Sequence, residues 1–187
     1  MARKKEYIED KVIEKAMQLF WRNGYETTSM KMLEQEMGIN KFSIYSSFGS
    51  KNGVFLESIK CYKKKLSNIL DKLENSNNGL KGIEQYFYDF LEFSKENNIV
   101  KGCLVTTTAV ELGRDADPKI KNQLHLFTEH VKGLFMNNLK QEKTITKQEL
   151  EEKGDYLIIS IFGLASASKA FGKKQLDTFI KNIFNNI

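Results

Sequence analysis

The chain has 187 residues, 41% of them hydrophobic and 28% charged, so it can bury a core without disulfide bonds or metal ions. A single proline, and no long alternation of apolar and polar residues, argue against a sheet protein and predict an all-α fold. The formal net charge of +5 resides in residues 1–65, since the remainder has equal numbers of acidic and basic side chains. A basic segment joined to a neutral one is typical of DNA binding at one end, although chance clustering of so small an excess is the alternative.

The cysteines and the first residues predict the compartment. Cys61 and Cys103 lie in separate segments without metal-ligand spacing, so we expect no disulfide bond. The first residues, MARKKEYIED, are basic but lack the apolar run of a secretion signal, and no stretch reaches the ~18 apolar residues of a membrane span. We therefore expect a cytoplasmic protein that makes no membrane contact.

A first predicted helix, over residues 8–23, is followed by two short helices joined by a tight turn. Thr28 or Ser29 can cap the second helix, because either hydroxyl can accept a hydrogen bond from the free N–H groups of the first turn. Gly38 supplies the turn, and Asn40 can cap the third helix. Two helices joined in this way cross steeply, which leaves the third free to enter a DNA major groove.

The third predicted helix has an unusual outer face. Ile44 and Phe48 are four residues apart and point inward, which leaves hydroxyl groups, a lysine and two aromatic rings outside. Such side chains can contact phosphates or base edges, although an ordinary helical hairpin with one polar helix is the alternative. A basic arm at residues 2–5 could also lie along phosphates, or could be a solvated tail. The expected DNA-binding residues are Thr28, Lys41, Phe42, Ser43, Tyr45, Ser46 and Lys51.

The wider string from Val12 to Ile59 resembles the N-terminal domain of TetR/AcrR-family transcriptional regulators. The shared features, in order and at the family's spacing, are LF at 19–20, GY at 24–25, TS at 28–29, GIN at 38–40, IY at 44–45 and FGSK at 48–51. Two positions depart from the pattern, namely Glu34, where a small residue is usual, and Ser47, where His or an aromatic residue is common. The resemblance implies a homodimer on a palindromic operator, and a ligand in the second domain that tilts the fourth helix and weakens DNA binding.

The fourth predicted helix connects two domains. Ser50 is its expected cap, which places the Lys51 ammonium beside free N–H groups so that both could hold one phosphate. The helix runs to a polar loop that begins near residue 75, and it is long enough to leave the first domain and enter the second. We therefore expect a helix-turn-helix DNA-binding domain at residues 1–52 and a helical ligand-binding and dimerisation domain at residues 53–187.

Five more helices are predicted in the second domain. The first ends near residues 97–98, and the second, over residues 101–113, is apolar nearly all round and is expected to be buried. The others begin at an Asp117 cap, at a Thr146 capping box and near residue 173.

Phenylalanines and threonine hydroxyls in this domain suit a small apolar organic ligand, with ordinary core packing as the alternative. The candidate ligand-binding residues are Phe87, Phe90, Cys103, Thr107, Phe127 and Phe162. A thiol sensor at Cys103 is a lesser hypothesis, since nothing nearby in the sequence clearly lowers its pKa.

Small residues in the penultimate helix permit close contact with another helix. Together with the last helix and their symmetry mates they could form a four-helix dimer interface, and packing within one subunit is the alternative. The candidate interface residues are Gly163, Ser166, Ala167, Ala170, Phe179 and Ile183.

No pattern in the sequence indicates catalysis. His125 and His130 are five apart on one helix, hence on different faces, and make a poor metal pair. Since phosphate-loop, nucleophile-elbow and zinc-protease motifs are missing too, we predict no enzyme, no catalytic residue, no metal and no cofactor. We predict a dimeric regulator of transcription that binds double-stranded DNA, more a repressor than an activator. The rivals are a helical carrier or interaction module with an inactive helix-turn-helix, and a regulator without a ligand.

Overall fold

Helices form most of the protein in the structure, a computed structural model that describes residues 7–96, 99–141 and 145–187. The predicted all-α fold is confirmed, while the basic arm at residues 2–5 lies outside the described residues. None of the helices in the described ranges is both long enough and apolar enough to cross a membrane. The elements in chain order are α1 (Glu9–Asn23), α2 (Met30–Met37), α3 (Lys41–Phe48), α4 (Lys51–Glu74), α5 (Leu80–Phe93), β1 (Lys95–Glu96), β2 (Ile99–Val100), α6 (Leu104–Glu111), α7 (Pro118–Leu139), α8 (Lys147–Ala167) and α9 (Lys173–Asn185).

Side-chain caps set where the short helices begin. Ser29, Asn40 and Ser50 each accept a hydrogen bond from the backbone N–H three residues ahead, at the starts of α2, α3 and α4. Gly38 ends α2 with φ 69°, in the left-handed region that favours glycine. These contacts confirm the predicted turn and caps, and they identify Ser29 rather than Thr28 as the cap of α2.

The core of the first three helices is built against α4. Phe20 of α1 and Tyr25 after it each pack on Phe55 of α4, with ring centroids 4.8 Å apart in both pairs. From α3 only Ile44 is fully buried. Helix α3 therefore has one fully buried side chain, with Phe48 partly buried against the core, and presents most of its surface outward.

A close contact between α3 and α4 depends on Gly53. A Cβ atom at this position would overlap the carbonyl oxygen of Phe48, the last residue of α3. The missing side chain thus lets the end of α3 lie directly on the first turn of α4.

The end of α5 corrects a prediction. The helix ends at Phe93, before the predicted end near residues 97–98, which lie outside the described residues. Ser94 donates from its hydroxyl to the Leu91 carbonyl at 2.8 Å, and its own carbonyl accepts from the Lys101 N–H at 2.9 Å. The chain therefore turns back on itself, and the two-residue strands β1 and β2 pair antiparallel.

The predicted helix at residues 101–113 is shorter and less buried than expected. Gly102 has φ 68°, outside the helical region, and α6 begins only at Leu104. Ala109 and Val110 are exposed, Val110 to 80%. The prediction that this segment is buried, which followed from its apolar composition, is therefore wrong for these two residues. The capping box of Thr146 at the start of α8 is confirmed. Helix α8 ends at Ala167, so Ala170, assigned to this helix from the sequence, lies in the turn after it.

One aromatic cluster joins the two parts of the chain. Trp21 of α1 packs on Tyr62 of α4 at 5.1 Å and on Phe93 of α5 at 5.2 Å between ring centroids. The Trp21 indole N–H donates to the Gly102 carbonyl at 3.0 Å. The helix-turn-helix segment thus rests on the remaining helices through a packed contact, with α4 running through both parts.

Candidate nucleic-acid interface

The outer face of α3 gathers most of the residues predicted to bind DNA. Phe42 is 81% exposed and Tyr45 42% exposed, Lys41 and Ser46 are exposed, and Ser43 is half-buried. The Lys41 ammonium lies 5.7 Å from the centre of the Tyr45 ring. This face therefore offers one cation, two aromatic rings and hydroxyl groups on a single exposed helix.

A hydrogen bond made by the Glu34 side chain accounts for a charged residue at a position where the family usually has a small one. Its carboxylate accepts a hydrogen bond from the Lys41 backbone N–H, at the free N-terminal end of α3. Together with the Asn40 cap, this contact satisfies two N–H groups of the first turn. Glu34 therefore helps to fix the angle at which α3 leaves the turn.

Thr28 is placed differently from its prediction. Its side chain is fully buried, and its hydroxyl donates to the Gly24 carbonyl at 2.6 Å. A buried hydroxyl cannot reach a phosphate, so the predicted DNA contact of this side chain is not supported. Thr28 instead closes the loop between α1 and α2.

Lys51 lies at the start of α4, as predicted, but its ammonium is directed to the loop after α1. It stacks over the Tyr25 ring at 4.3 Å from the centroid and donates to the Glu26 carbonyl at 3.4 Å. Partial burial lowers the pKa of Lys51, and the nearby carboxylates of Glu26 and Glu111 oppose this change. The charge is thus held beside the loop that adjoins α2 and α4.

Tyr7 is a positioning residue that the sequence did not reveal. Its hydroxyl lies 2.6 Å from the Ser47 hydroxyl and donates to the Ser43 carbonyl at 3.4 Å. The partly buried Ser47, which had no assigned DNA contact, therefore has a hydrogen-bond partner within the same chain. The contact joins residues 40 positions apart, and no local sequence signal marks it.

Two carboxylates, one at the end of α6 and one just before α7, accept hydrogen bonds from the N-terminal part of the chain. Glu111, at the end of α6, accepts from the backbone N–H groups of Tyr25 at 2.6 Å and Glu26 at 3.3 Å. Asp117, before α7, accepts from the Asn52 side-chain amide at 2.7 Å. We call Glu111 and Asp117 the carboxylate bridge, because they connect α6 and α7 to the loop after α1 and to α4.

The bridge is reinforced by neighbouring hydrogen bonds. The Tyr25 hydroxyl donates to the Asn52 side chain, so loop and helix are tied to each other as well. Hydrogen bonds from the Asn52 amide, and then from the Lys119 N–H, lower the pKa of the Asp117 carboxyl. Asp117 therefore stays ionised and keeps accepting from Asn52 at neutral pH.

Four of the six predicted ligand residues line a very small cavity between α4, α5, α6, α7 and α8. Its volume is about 20 Å³, enough for a single water molecule. Phe90, Cys103, Phe127 and Phe162 line it, together with Thr106. In this conformation an organic ligand would have to push the helices apart in order to enter.

Two of the predicted ligand residues lie elsewhere. Phe87 is fully buried and packs on the ring of Phe184 at 5.1 Å, away from the cavity lining. Thr107 accepts from the Lys169 ammonium at 3.2 Å, and the neighbouring Thr106 faces the cavity instead. An open groove of about 810 Å³ lies between α1, α3 and α4, but it is lined mainly by charged side chains.

The predicted dimer face, on α8, on α9 and in the turn between them, is largely exposed. Gly163, Ser166, Ala170 and Phe179 are exposed and Ala167 is partly buried, whereas Ile183 is buried against its own subunit. The exposed face of α8 also includes two large side chains that the sequence reading did not select. They are Tyr156, 45% exposed, and Ile159, 70% exposed.

Comparisons with known proteins agree with this arrangement. Residues 12–58 match the family model described as bacterial regulatory proteins, tetR family. An uncharacterized HTH-type transcriptional regulator of Bacillus subtilis, YezE, is 26% identical over 76% of this chain and 74% of its own. The Staphylococcus aureus regulator IcaR, named as a negative transcriptional regulator of the biofilm operon icaADBC, is 24% identical over 88% of each chain.

Solved structures share the fold over nearly the whole chain. A cysteine mutant of the TetR-family regulator CifR, complexed with 26-base-pair operator DNA, gives a TM-score of 0.87 at 22% identity, over 98% of this chain and 99% of that one. The reduced form of Escherichia coli NemR gives a TM-score of 0.80 at 16% identity, over 95% and 96%. The matched helix-turn-helix segment, the regulators that align with most of the chain and the shared fold place this protein in the TetR family of bacterial transcriptional regulators.

Proposed function

We propose that the protein is a repressor that binds a palindromic operator in double-stranded DNA as a homodimer and is released by a small apolar ligand. The observation that carries this proposal is the outward face of α3, where Lys41, Phe42, Tyr45 and Ser46 are exposed together on the side away from the buried Ile44. IcaR, whose name describes a negative regulator, supports repression over activation. We place this activity in the cytoplasm.

The proposed DNA contacts divide by chemistry. Lys41 and Tyr45 of α3, and Lys51 at the start of α4, hold phosphates, since they carry cationic or hydroxyl donors. Phe42 and Ser46, with Ser43, face the bases. Residues 1–52 then serve as the DNA-binding domain, and residues 53–187 as the regulatory domain.

Dimerisation through α8 and α9 would present two copies of α3 to one duplex. The apolar surface of Ile159 and Phe179 is exposed to water unless a partner subunit covers it. Exposed Gly163 permits a partner helix to approach closely. A palindrome requires two recognition helices about 34 Å apart, one turn of DNA.

The carboxylate bridge offers a route from ligand to DNA. A ligand entering the cavity at Phe127 and Phe162 must displace α7 or α8, because the cavity of about 20 Å³ cannot hold it. Movement of α6 or α7 would carry Glu111 or Asp117 with it, and so pull on the loop after α1 and on α4. The spacing of the two recognition helices would then change, and operator binding would weaken.

Selection from random double-stranded DNA with the full chain tests the proposal. We expect enrichment of a palindrome, and loss of that enrichment in Tyr45→Ala, while Leu126→Ala, an exposed change on α7, keeps it. A carrier or interaction module with an inactive helix-turn-helix would enrich no palindrome. Addition of apolar compounds to the operator complex then separates a ligand-released repressor from a regulator without a ligand, which no compound would release.

A further inference from the structure

Apart from Lys41, the recognition helix lacks the side chains that most often read purines. Residues 41–48 are KFSIYSSF, so α3 carries no Arg, Asn or Gln to bind guanine or adenine through two hydrogen bonds. Asn40, just before α3, uses its side-chain oxygen to accept from the Ser43 N–H at 2.8 Å. Sequence readout by α3 must therefore draw on other contacts.

The contacts of Ser47 and Lys41 further reduce the set of α3 side chains that are available to read bases. The Ser47 hydroxyl is partly buried and lies 2.6 Å from the Tyr7 hydroxyl, with which it shares a hydrogen bond. Lys41 is exposed at the first position of α3, and its ammonium is drawn over the Tyr45 ring, 5.7 Å from the centroid. What remains on the outer face for base edges is a large apolar ring, Phe42, flanked by small hydroxyl groups.

Phe42 lies where a recognition helix meets the bases. It is the second residue of α3, and the N-terminal residues of such helices contact base edges in the major groove. Its ring is 81% exposed, more than any other large hydrophobic side chain recorded in the described residues. The apolar group that the major groove offers is the C5-methyl of thymine, so contact between the two would remove both from water.

We propose that Phe42 reads the C5-methyl group of a thymine in each half of the operator, so that this base is specified by an apolar contact. The inference rests on the proposed function, because it requires α3 to enter the major groove. Loss of one methyl contact corresponds to about fourfold in affinity per half-site, hence about fifteenfold when both halves of a palindrome are changed.

Replacing thymine by deoxyuridine tests the inference on the DNA side, where the protein fold is unaffected. The selected operator is prepared with deoxyuridine at one symmetric pair of thymines at a time, and each version is titrated with wild type, Phe42→Ala and the control Leu126→Ala. We expect one pair whose replacement weakens wild type and the control by about fifteenfold. Phe42→Ala should bind the thymine and deoxyuridine operators equally.

Two results would overturn the inference and leave the proposed function intact. One is a palindrome to which wild type binds equally well with deoxyuridine at every thymine pair. The other is a deoxyuridine penalty that persists unchanged in Phe42→Ala, because the methyl group would then be read by another residue. If selection enriches no palindrome at all, the proposed function fails, and this inference fails with it.

Discussion

The Lys51 ammonium at the start of α4 has two possible roles, which are binding DNA and holding the loop between α1 and α2. It lies over the Tyr25 ring and donates to the Glu26 carbonyl, in the loop between α1 and α2. Both contacts involve groups of the same loop, so Lys51 could order the loop and neutralise a phosphate at once.

We expect Lys51→Ala to weaken binding to all DNA sequences alike and to reduce the slope of log affinity against log salt by about one. Titrations with operator and with random DNA at several salt concentrations measure both effects. Lys81→Ala, which removes an exposed lysine from α5, is the matched control and should leave the slope unchanged. An unaltered slope in Lys51→Ala would assign this residue to the loop alone.

At several positions, the residue types alone could not show which of two neighbouring side chains has the predicted role. Thr28 and Ser29 are adjacent hydroxyl residues, and either suits a helix cap, but packing buries Thr28 and leaves Ser29 exposed. Either Thr106 or Thr107 could have lined the cavity, but Thr106 does so and Thr107 accepts from Lys169. Such choices depend on the direction of a side chain in the folded protein, which a periodic pattern defines only to within one residue.

At the scale of elements, helix starts could be predicted well because each depends on a local cap. Asn40, Ser50, Asp117 and Thr146 all cap the helices assigned to them. The end of α5 could not be predicted, since it follows from the pairing of β1 with β2 and from the Lys101 contact to Ser94. Those contacts join separate segments, and no local signal marks them.

The carboxylate bridge is the element-scale feature with the clearest consequence. Glu111 accepts from two consecutive backbone N–H groups, those of Tyr25 and Glu26, and so orders the loop that carries the Lys51 contact. Removal of the carboxylate leaves both donors to water and frees the loop from α6.

We expect Glu111→Ala to speed amide hydrogen exchange at Tyr25 and Glu26 and to lower operator affinity several-fold, since the loop must then be ordered on binding. Exchange followed residue by residue, with titration of the selected operator, measures both effects. Glu129→Ala, an exposed change on α7, should alter neither. Unchanged exchange at both amides would show that the loop is held without Glu111.

At the scale of the whole molecule, the account depends on two copies of α3 acting together. Helix α3 packs on α4, and α4 packs on α7 and α5, which in turn contact α8 and α9, the helices of the proposed dimer face. Because Trp21 packs on Tyr62 and Phe93, each helix-turn-helix is expected to move with its own second domain. The distance between the two recognition helices is then set by the dimer interface.

Half-site spacing tests this claim most directly. The affinity of the full chain is measured for the selected palindrome and for the same palindrome with about five base pairs inserted at its centre, half a turn of DNA. We predict a loss of tenfold or more, about 1.4 kcal/mol or greater, because one recognition helix of the dimer would face the wrong side of the duplex. Equal affinity for the two DNAs would contradict the paired presentation of α3.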